Sequence, residues 1–284
     1  MIFDGTDLTT LGLTVLKSPQ TLLPVFRLNI EGFGGADGAG TQGAFYDPRE
    51  FDYRVLIEGA GANYTAKRLA LVEQLDALKT ILNPKLGNRL LQPIMEGALD
   101  VEVNRGYMVR TSGLSDGQYL NPWTIECQLQ FVAPIPFGLE LNAGETAVNW
   151  NNVSATISTD PQDITVPASG VVLGTHQSPP IFRIKNTDSG AITSLTITNT
   201  TRNEGITWTG SLAQNEQLRF NTENQHILRL DAGETDWETQ GANAMIGVIT
   251  GDPFPFLEPG VANTIRVQGV VAATFDIDWV GRFL

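Results

Sequence analysis

The segment from Trp123 to Gly138 divides this sequence into two parts of different character. Its first half alternates apolar and polar residues, and a period of two puts the apolar ones on one face of a β-strand. The apolar members are Ile125, Cys127, Leu129 and Phe131. Pro134 and Pro136 then end the strand, because proline cannot donate a hydrogen bond to a sheet. The pattern predicts the last strand of a first domain, residues 1–138, followed by a second domain, residues 139–284.

The first part contains one strong helical pattern among several short strand patterns. Leucines recur at i, i+4, i+7 and i+11 across residues 65–82, which places them on one stripe of a helix. Asn63 or Thr65 can cap the start of this helix, and Asn83 before Pro84 ends it, since a residue preceding proline avoids helical geometry. We interpret the stripe as packing on a sheet of the same chain. A helix that joins two copies is the alternative.

The second part consists of short strand patterns without a convincing helix. They include Val171–Leu173 and Thr274–Trp279, and the latter alternates most clearly. Its predicted inward residues are Phe275, Ile277 and Trp279. Many short strands at this spacing are typical of a β-sandwich or jelly roll. The predicted fold class is therefore mainly β with one helix, with an α+β first domain.

Two polar segments of the first part are predicted to lie at interfaces because they are exposed and flexible. Residues 31–45 hold six glycines in fifteen positions, which predicts a hairpin tip or arm. This glycine pattern lacks the phosphate-binding spacing, and no helix follows it. Residues 112–118 are predicted to form a polar loop. The interface residues predicted in these segments are Gly34, Gly35, Asp37, Gly38, Gly40, Ser112, Leu114 and Asp116.

The charge balance disfavours binding to nucleic acid. The chain of 284 residues carries a net charge of −13, from 18 basic and 31 acidic side chains. The excess of acid holds in both parts, with 11 basic and 15 acidic residues up to residue 138 and 7 basic and 16 acidic residues after it. Neutralising phosphates requires clustered lysine and arginine, so specific binding of DNA or RNA is not expected.

No group of residues has the spacing of a catalytic or metal site. His176 and His226 are isolated in sequence, and Cys127 is interpreted as a buried core thiol. The acidic cluster within residues 231–238 does not match a calcium loop and is interpreted as a solvated turn. We therefore expect no enzymatic activity, no metal and no cofactor. Trp237, which lies in that cluster, is the residue predicted to be exposed for a possible ligand contact, whereas Trp208 is predicted to be core.

The first residues and the hydropathy of the chain predict no membrane association. The residues after Met1 have neither a basic region nor an apolar one, so a secretory signal is not expected. No run of eighteen apolar residues occurs that would span a bilayer.

The order of several motifs resembles the distal tail (Dit) proteins of long-tailed, non-contractile phages. In the first part, the resemblance lies in GGADG within the early hairpin, the returning strand FDYRVLIEG, the helix TAKRLALVEQLDALKTILNP and the junction IECQLQFVAPIPFG. In the second part, it continues through SPPIFRIKN, SLTITNTT, NEQLRFNTENQHI, FPFLEPGVANTIRV and FDIDWVGRF. No single motif is specific, and the resemblance rests on the ordered set.

This resemblance implies a split-barrel-like first domain and a galectin-like second domain. Such proteins form hexameric rings in the virion tail tip, in which the first domains make the ring and the second domains point outward. The implied partners are other copies of the chain, the tail tube protein, the tail tip or fibre hub protein, and receptor-binding or adsorption proteins. DNA would pass through the ring, and the protein would be made in the host cytoplasm. The sugar-binding motifs of true galectins do not occur here, so lectin activity is not implied.

Two other classes of function stay open at this point. A carbohydrate-binding β-sandwich attached to an anchoring domain is the main alternative to a structural hub. A hydrolase acting on polysaccharide is the third hypothesis, and it lacks the pair of carboxyl groups that such chemistry requires. Solution mass separates the first two hypotheses, because the hub requires a hexamer.

Overall fold

The chain forms two compact units, which divide between Val148 and Asn149. This boundary lies further along the chain than the predicted one, because a strand that begins at Gly138 still pairs within the first unit. The computed structural model describes residues 1–18, 26–32, 39–93, 105–115, 117–143, 147–244, 248–250 and 254–283.

Unit 1 (Met1–Val148) consists of short strands, one α-helix and two short 3-10 segments within its described residues. Its strands are β1 (Ile2–Phe3), β2 (Thr6–Asp7), β3 (Leu13–Lys17), β4 (Phe26–Gly32), β5 (Ala39–Tyr46), β6 (Arg49–Glu58), β7 (Arg89–Gln92), β8 (Arg105–Leu114), β9 (Gln118–Asn121), β10 (Thr124–Ala133) and β11 (Gly138–Glu140). The helix α1 is Tyr64–Ile81, and the 3-10 segments are Leu8–Leu11 and Pro84–Leu86.

The main sheet of unit 1 is antiparallel and has the order β2-β1-β7-β8-β10-β6-β3, with β9 paired to β10 and β11 paired to β8. The central strand β10 pairs with β6 along its whole length. The predicted alternation of β10 is confirmed: the four apolar residues are buried, and Phe131 contacts Phe3 with ring centroids 5.1 Å apart. The strand that divides the sequence is thus the middle of the first core.

Helix α1 packs on this core through the predicted leucine stripe. Leu71 and Leu78 are completely buried, and both belong to the cluster that contains the sheet residues. Asn63 is the N-cap, since its side-chain Oδ1 accepts a hydrogen bond of 2.9 Å from the Ala66 backbone N–H. The helix therefore stabilises its own sheet, as interpreted, and the observed bounds differ from the predicted 65–82 by one residue at each end.

Burial of Cys127 raises the pKa of its thiol, and the nearby Glu126 carboxylate raises it further. Because the reactive species is the thiolate, we expect a maleimide to label Cys127 slowly at neutral pH in the folded protein. Unfolding in denaturant should raise the labelling rate by orders of magnitude. Mass spectrometry of the alkylated chain measures this rate, and fast labelling under native conditions would contradict the placement of the thiol in the core.

Unit 2 (Asn149–Phe283) is a β-sandwich. Its strands are β12 (Asn151–Ile157), β13 (Gln162–Val166), β14 (Ile181–Asn186), β15 (Ile192–Asn199), β16 (Glu204–Leu212), β17 (Gln217–Asn221), β18 (His226–Leu230), β19 (Ala242–Asn243), β20 (Val248–Thr250), β21 (Asn263–Gln268), β22 (Ala273–Trp279) and β23 (Arg282–Phe283). One sheet has the order β12-β22-β14-β17-β18-β19 and the other β13-β21-β15-β16-β20.

Side chains from both sheets form the single core of unit 2. Phe182 stacks on Phe275 with centroids 5.8 Å apart, and Trp208 is buried with its Nε1–H donating to the Ala244 carbonyl at 3.1 Å. The predicted core positions of β22 and of Trp208 are confirmed.

The prediction of a strand at Val171–Leu173 is wrong, because Val172 alone is buried there and its flanking residues face solvent.

A buried amide pair closes one end of this core. Asn199 and Asn263 are fully buried, and the Asn199 Nδ2 donates to the Asn263 Oδ1 at 2.9 Å. Asn263 Oδ1 also accepts the Glu258 N–H at 2.8 Å, and its Nδ2 donates to the Glu258 carbonyl at 3.0 Å. The pair thus satisfies backbone groups that a loop would otherwise leave unpaired in the interior.

Among the residues that the structure describes, no helix has both the length and the apolarity needed to cross a bilayer.

Candidate interaction surfaces

The acidic cluster of unit 2 builds a turn rather than a reactive site. Asp236 accepts hydrogen bonds from the Glu238 N–H at 3.0 Å and from the Thr239 hydroxyl, and the hydroxyl is the main reason that the pKa of Asp236 is lowered. Glu234 accepts the Asp231 N–H at 3.0 Å. A carboxylate with a lowered pKa and a backbone partner, such as that of Asp236, is suited to holding a loop and not to donating protons.

Trp237 is less accessible than predicted. Its ring is partly buried, and the Arg219 guanidinium lies 6.0 Å from the ring centroid. Arg219 also pairs with Glu238 at 3.3 Å. Trp237 is therefore only partly accessible, because this cation covers part of the indole, and its possible ligand contact stays a prediction. The exposed tryptophan of the described residues of unit 2 is Trp150, with 58% of its surface accessible.

The described histidines do not belong to a group of side chains that could hold a metal ion. Burial lowers the pKa of His176, and the positive charge of Arg282 lowers it further. Within the described residues, no three histidine, cysteine or acidic side chains are grouped so that they could hold a metal ion. His176 thus lies in a partly buried, positively charged surrounding that favours its neutral form.

The predicted interface residues fall partly within the described structure. Gly34, Gly35, Asp37, Gly38 and Asp116 lie outside the described residues. Gly40 lies in β5, which pairs with β4 in a separate two-stranded hairpin.

Ser112 and Leu114 lie in strand β8, so the prediction of a loop over 112–118 is wrong for residues 112–114. The register of β8 with β10 shifts beside Gly113, whose φ of +93° suits glycine. Ser112 is exposed on this bulge, and its hydroxyl donates to the Gln130 carbonyl at 3.3 Å. A bulged strand with polar residues resembles a loop in sequence, and this similarity explains the error.

A groove lies beside strand β3, at one end of the main sheet of unit 1. It encloses about 1000 Å³ between residues 12–18, the loop that follows β6 and Lys67 of helix α1. The loop lies directly against the helix because residue 59 is glycine; a Cβ there would come within 1.9 Å of the Lys67 carbonyl oxygen. The charged side chains of the groove are Lys17, Lys67 and Glu58.

Strand β9, at the other side of the same sheet, carries two exposed apolar side chains. Tyr119 has 61% and Leu120 has 54% of its surface accessible. The β9–β10 hairpin turns at Asn121, whose Oδ1 accepts the Trp123 N–H at 3.0 Å. Tyr64 of α1 packs edge-on against Trp123, so the hairpin is fixed to the helix. Sequence reasoning missed this surface, although two apolar residues before Asn121-Pro122 are a recognisable hairpin signal.

The fold as a whole matches a solved phage protein. The crystal structure of the Dit protein of phage SPP1, described as a paradigm of the hub adsorption apparatus in phages that infect Gram-positive hosts, aligns over 100% of this chain and 98% of that one. The TM-score is 0.63 and the sequence identity is 14%. This chain has the distal tail (Dit) fold. The resemblance stated from the sequence motifs is confirmed at the level of the fold.

No protein-family model matches the chain, and no curated protein sequence matches it. Two structures of the phage P2 baseplate in its activated conformation, one with Ca and one with Sr, align at a TM-score of 0.40 and 10% identity over 96% of this chain and 92% of those chains. These alignments are too distant to support an argument about the Dit fold of this chain.

Proposed function

We propose that this chain is a structural hub of a phage tail, in which six copies form a ring that joins the tail tube to the host-adsorption apparatus. The observation that carries the proposal is the match of both units, along the whole chain, to one hub protein of a phage. The acidic cluster of unit 2, a candidate site for other chemistry, holds a turn through hydrogen bonds such as that from the Glu238 N–H to Asp236. The proposed role is therefore assembly.

Unit 1 is the ring-forming part in this proposal. A closed ring requires head-to-tail contacts, in which two different surfaces of one copy are complementary. Unit 1 has a groove at one side of its sheet and an exposed apolar strand at the other, as a head-to-tail contact demands. The β4–β5 hairpin is a second candidate for contacts with the neighbouring copy or with the tail tube protein.

Unit 2 is the part that binds adsorption proteins in this proposal. It is a closed sandwich with its own core, so its outer surface is available for partners without cost to the fold. The tail tip or fibre hub protein and the receptor-binding proteins are the proposed classes of partner. The location of the assembled protein is the virion tail tip, and DNA passes through the ring without specific contacts, which the net charge of −13 per copy favours.

Solution mass tests this function. One chain has a mass of 30.8 kDa, so the purified full-length protein is expected at six times this mass, about 185 kDa, in native mass spectrometry and light scattering. A protein that stays at 30.8 kDa as its concentration is raised would contradict the ring. If that monomer also bound glycans, the carbohydrate-binding alternative would replace the hub.

A further inference from the structure

Strand β12 is an edge strand of unit 2 that lacks the features which usually protect such an edge. It pairs with β22 on its inner side over seven residues in one uninterrupted register, and no other described strand pairs with it. Unpaired backbone groups on an open edge template the addition of another strand. We propose that β12 accepts an extended segment of an adsorption protein, which adds a strand to this sheet. This inference rests on the proposed hub and names the surface at which its partner docks.

The other three edge strands of unit 2 are short or protected. Strand β19 has two residues, and β20 has three within the described structure. Strand β13 has five residues, carries the exposed Asp163 paired with Arg266 at 2.7 Å, and lies between Pro161 and Pro167. Short length, charge and proline are the usual means by which proteins prevent strand addition. By contrast, residues 146–159, which contain β12, include no charged residue, no proline and no glycine.

The polar side chains of β12 lean away from its open edge. The Asn152 Nδ2 donates to Asp278 Oδ1 of β22 at 2.7 Å, and the Ser154 hydroxyl donates to Asp276 of the same strand. Both contacts hold these side chains over the sheet, so neither side chain caps the outer backbone groups of β12. An incoming strand can therefore reach those groups without displacing a side-chain hydrogen bond.

Gln162 limits the open edge at one end. Its Nε2 donates to the Thr156 carbonyl at 3.0 Å, and its Oε1 accepts the Ser158 N–H at 2.9 Å. The segment available to an added strand therefore ends before Thr156. It begins near Trp150, whose side chain is exposed. A tryptophan at the start of the open segment is suited to anchor a partner, because aromatic side chains often dominate binding.

The core side of β12 sets the pattern of side chains that the added strand should have. Val153 and Ala155 pack against the core of unit 2, yet both are only partly buried at this last strand of the sheet. A strand with apolar side chains at alternate positions would cover both residues and extend the core. Its other face would carry polar side chains, as β12 does with the exposed Asn152 and Ser154.

The charge of unit 2 favours a different protein over a second copy as the occupant. The chain after residue 138 has 16 acidic and 7 basic residues, so pairing of β12 with β12 of another copy would bring two acidic units together. Such a pairing would also be twofold, whereas the proposed ring requires head-to-tail contacts. A segment whose polar side chains are neutral or basic avoids this repulsion, and Asp276 and Asp278 on the neighbouring β22 attract it.

A synthetic peptide tests the edge on the unaltered full-length protein. The probe is a fluorescein-labelled peptide that alternates valine and threonine between two terminal lysines, and fluorescence anisotropy measures its binding. N-methylation of the valine amides blocks one backbone edge of this peptide, and N-methylation of the threonine amides blocks the other. Because an added strand pairs through one edge only, we expect one methylated peptide to bind at least about tenfold more weakly than the other. Equal binding of the two methylated peptides would overturn strand addition.

A charge on the core side of β12 tests where the peptide binds. Ala155→Lys introduces an inward-pointing charge, a device that natural edge strands use against pairing. Because Ala155 is only partly buried, the long side chain can reach solvent and unit 2 should stay folded. We expect the affinity for the unmethylated peptide to fall at least about tenfold. The matched control is Thr156→Lys, which adds the same charge at an exposed position beyond the open segment and should bind as the unaltered protein does. Equal affinities of the two variants would overturn the placement of the peptide on β12.

Native mass and an introduced cysteine separate the remaining outcomes. If the hexamer forms but the unmethylated peptide does not bind, the edge assignment is wrong and the ring itself stands. If no hexamer forms, the proposed function fails whether or not the peptide binds. Ser154→Cys tests for self-pairing, since the natural Cys127 is buried and gives a low background. Faster formation of disulfide-linked dimers by Ser154→Cys than by the exposed control Asn224→Cys would show that β12 pairs with a second copy, which overturns the adsorption protein as its occupant.

Discussion

Phe131→Ala is expected to abolish the ring, whereas Phe275→Ala is expected to leave it intact. Phe131 is completely buried at the centre of the unit 1 sheet, where it contacts Phe3 and meets Tyr53 edge-on at 6.2 Å. Its removal should destabilise unit 1 by about 3–5 kcal/mol, the usual cost of emptying a buried aromatic site. Because β10 joins β6 to β8 and β9, the groove and the exposed strand β9 both depend on this strand.

Phe275→Ala is the reciprocal control, since the same side chain is deleted from the core of unit 2. Phe275 stacks on Phe182 and is completely buried, so the loss of stability should be similar in size. Native mass reports the assembly of each variant, and hydrogen exchange reports which unit has opened. Phe131→Leu keeps most of the apolar volume and should restore both folding and assembly. Equal loss of the hexamer in the two alanine variants would contradict a ring built by unit 1.

Asn263→Ala is expected to destabilise unit 2 by roughly 2–4 kcal/mol, because buried polar groups left without a partner cost about 1–3 kcal/mol each. The substitution removes the acceptor of the Glu258 N–H and the donor to the Glu258 carbonyl. The buried Asn199 side-chain amide also loses one of its two acceptors, the Asn263 Oδ1. It retains the hydrogen bond of 2.6 Å to the Phe256 carbonyl. The loop at Glu258 should therefore open early in hydrogen exchange, and the hexamer mass should persist.

Asn224→Ala provides the comparison for this amide. Asn224 is exposed in the turn between β17 and β18, and exposed substitutions usually change stability by less than about 0.5 kcal/mol. Denaturant unfolding followed by hydrogen exchange compares the two variants unit by unit. Equal effects of Asn263→Ala and Asn224→Ala would show that the buried amide pair is dispensable.

The parts of the fold that depend on periodic burial could be predicted from the sequence. The alternation in β10 and in β22 and the leucine stripe of α1 are each set by one apolar face, and the structure buries these faces as expected. The prediction of a strand at Val171–Leu173 from its apolar residues fails. The segment is apolar, yet Val172 alone reaches the core, and its N–H bonds to Val261 in a loop.

The interaction surfaces were harder to predict, because they depend on which strands remain unpaired. The sequence of β3 contains no local feature that marks it as the last strand of its sheet. The segment 112–118 has the composition of a polar loop, although Ser112 and Leu114 belong to a bulged strand and the exposed apolar residues follow at Tyr119 and Leu120. Pairing between strands that are distant in sequence is a tertiary feature that composition does not encode. The same holds for the partial cover of Trp237 by Arg219.

Electron microscopy of the purified full-length chain is the most direct test of the central claim. We predict closed particles with sixfold symmetry, in which unit 1 of each copy contacts unit 1 of its neighbours. Images that show only single protomers or twofold dimers at every concentration would contradict both the ring and its head-to-tail contacts.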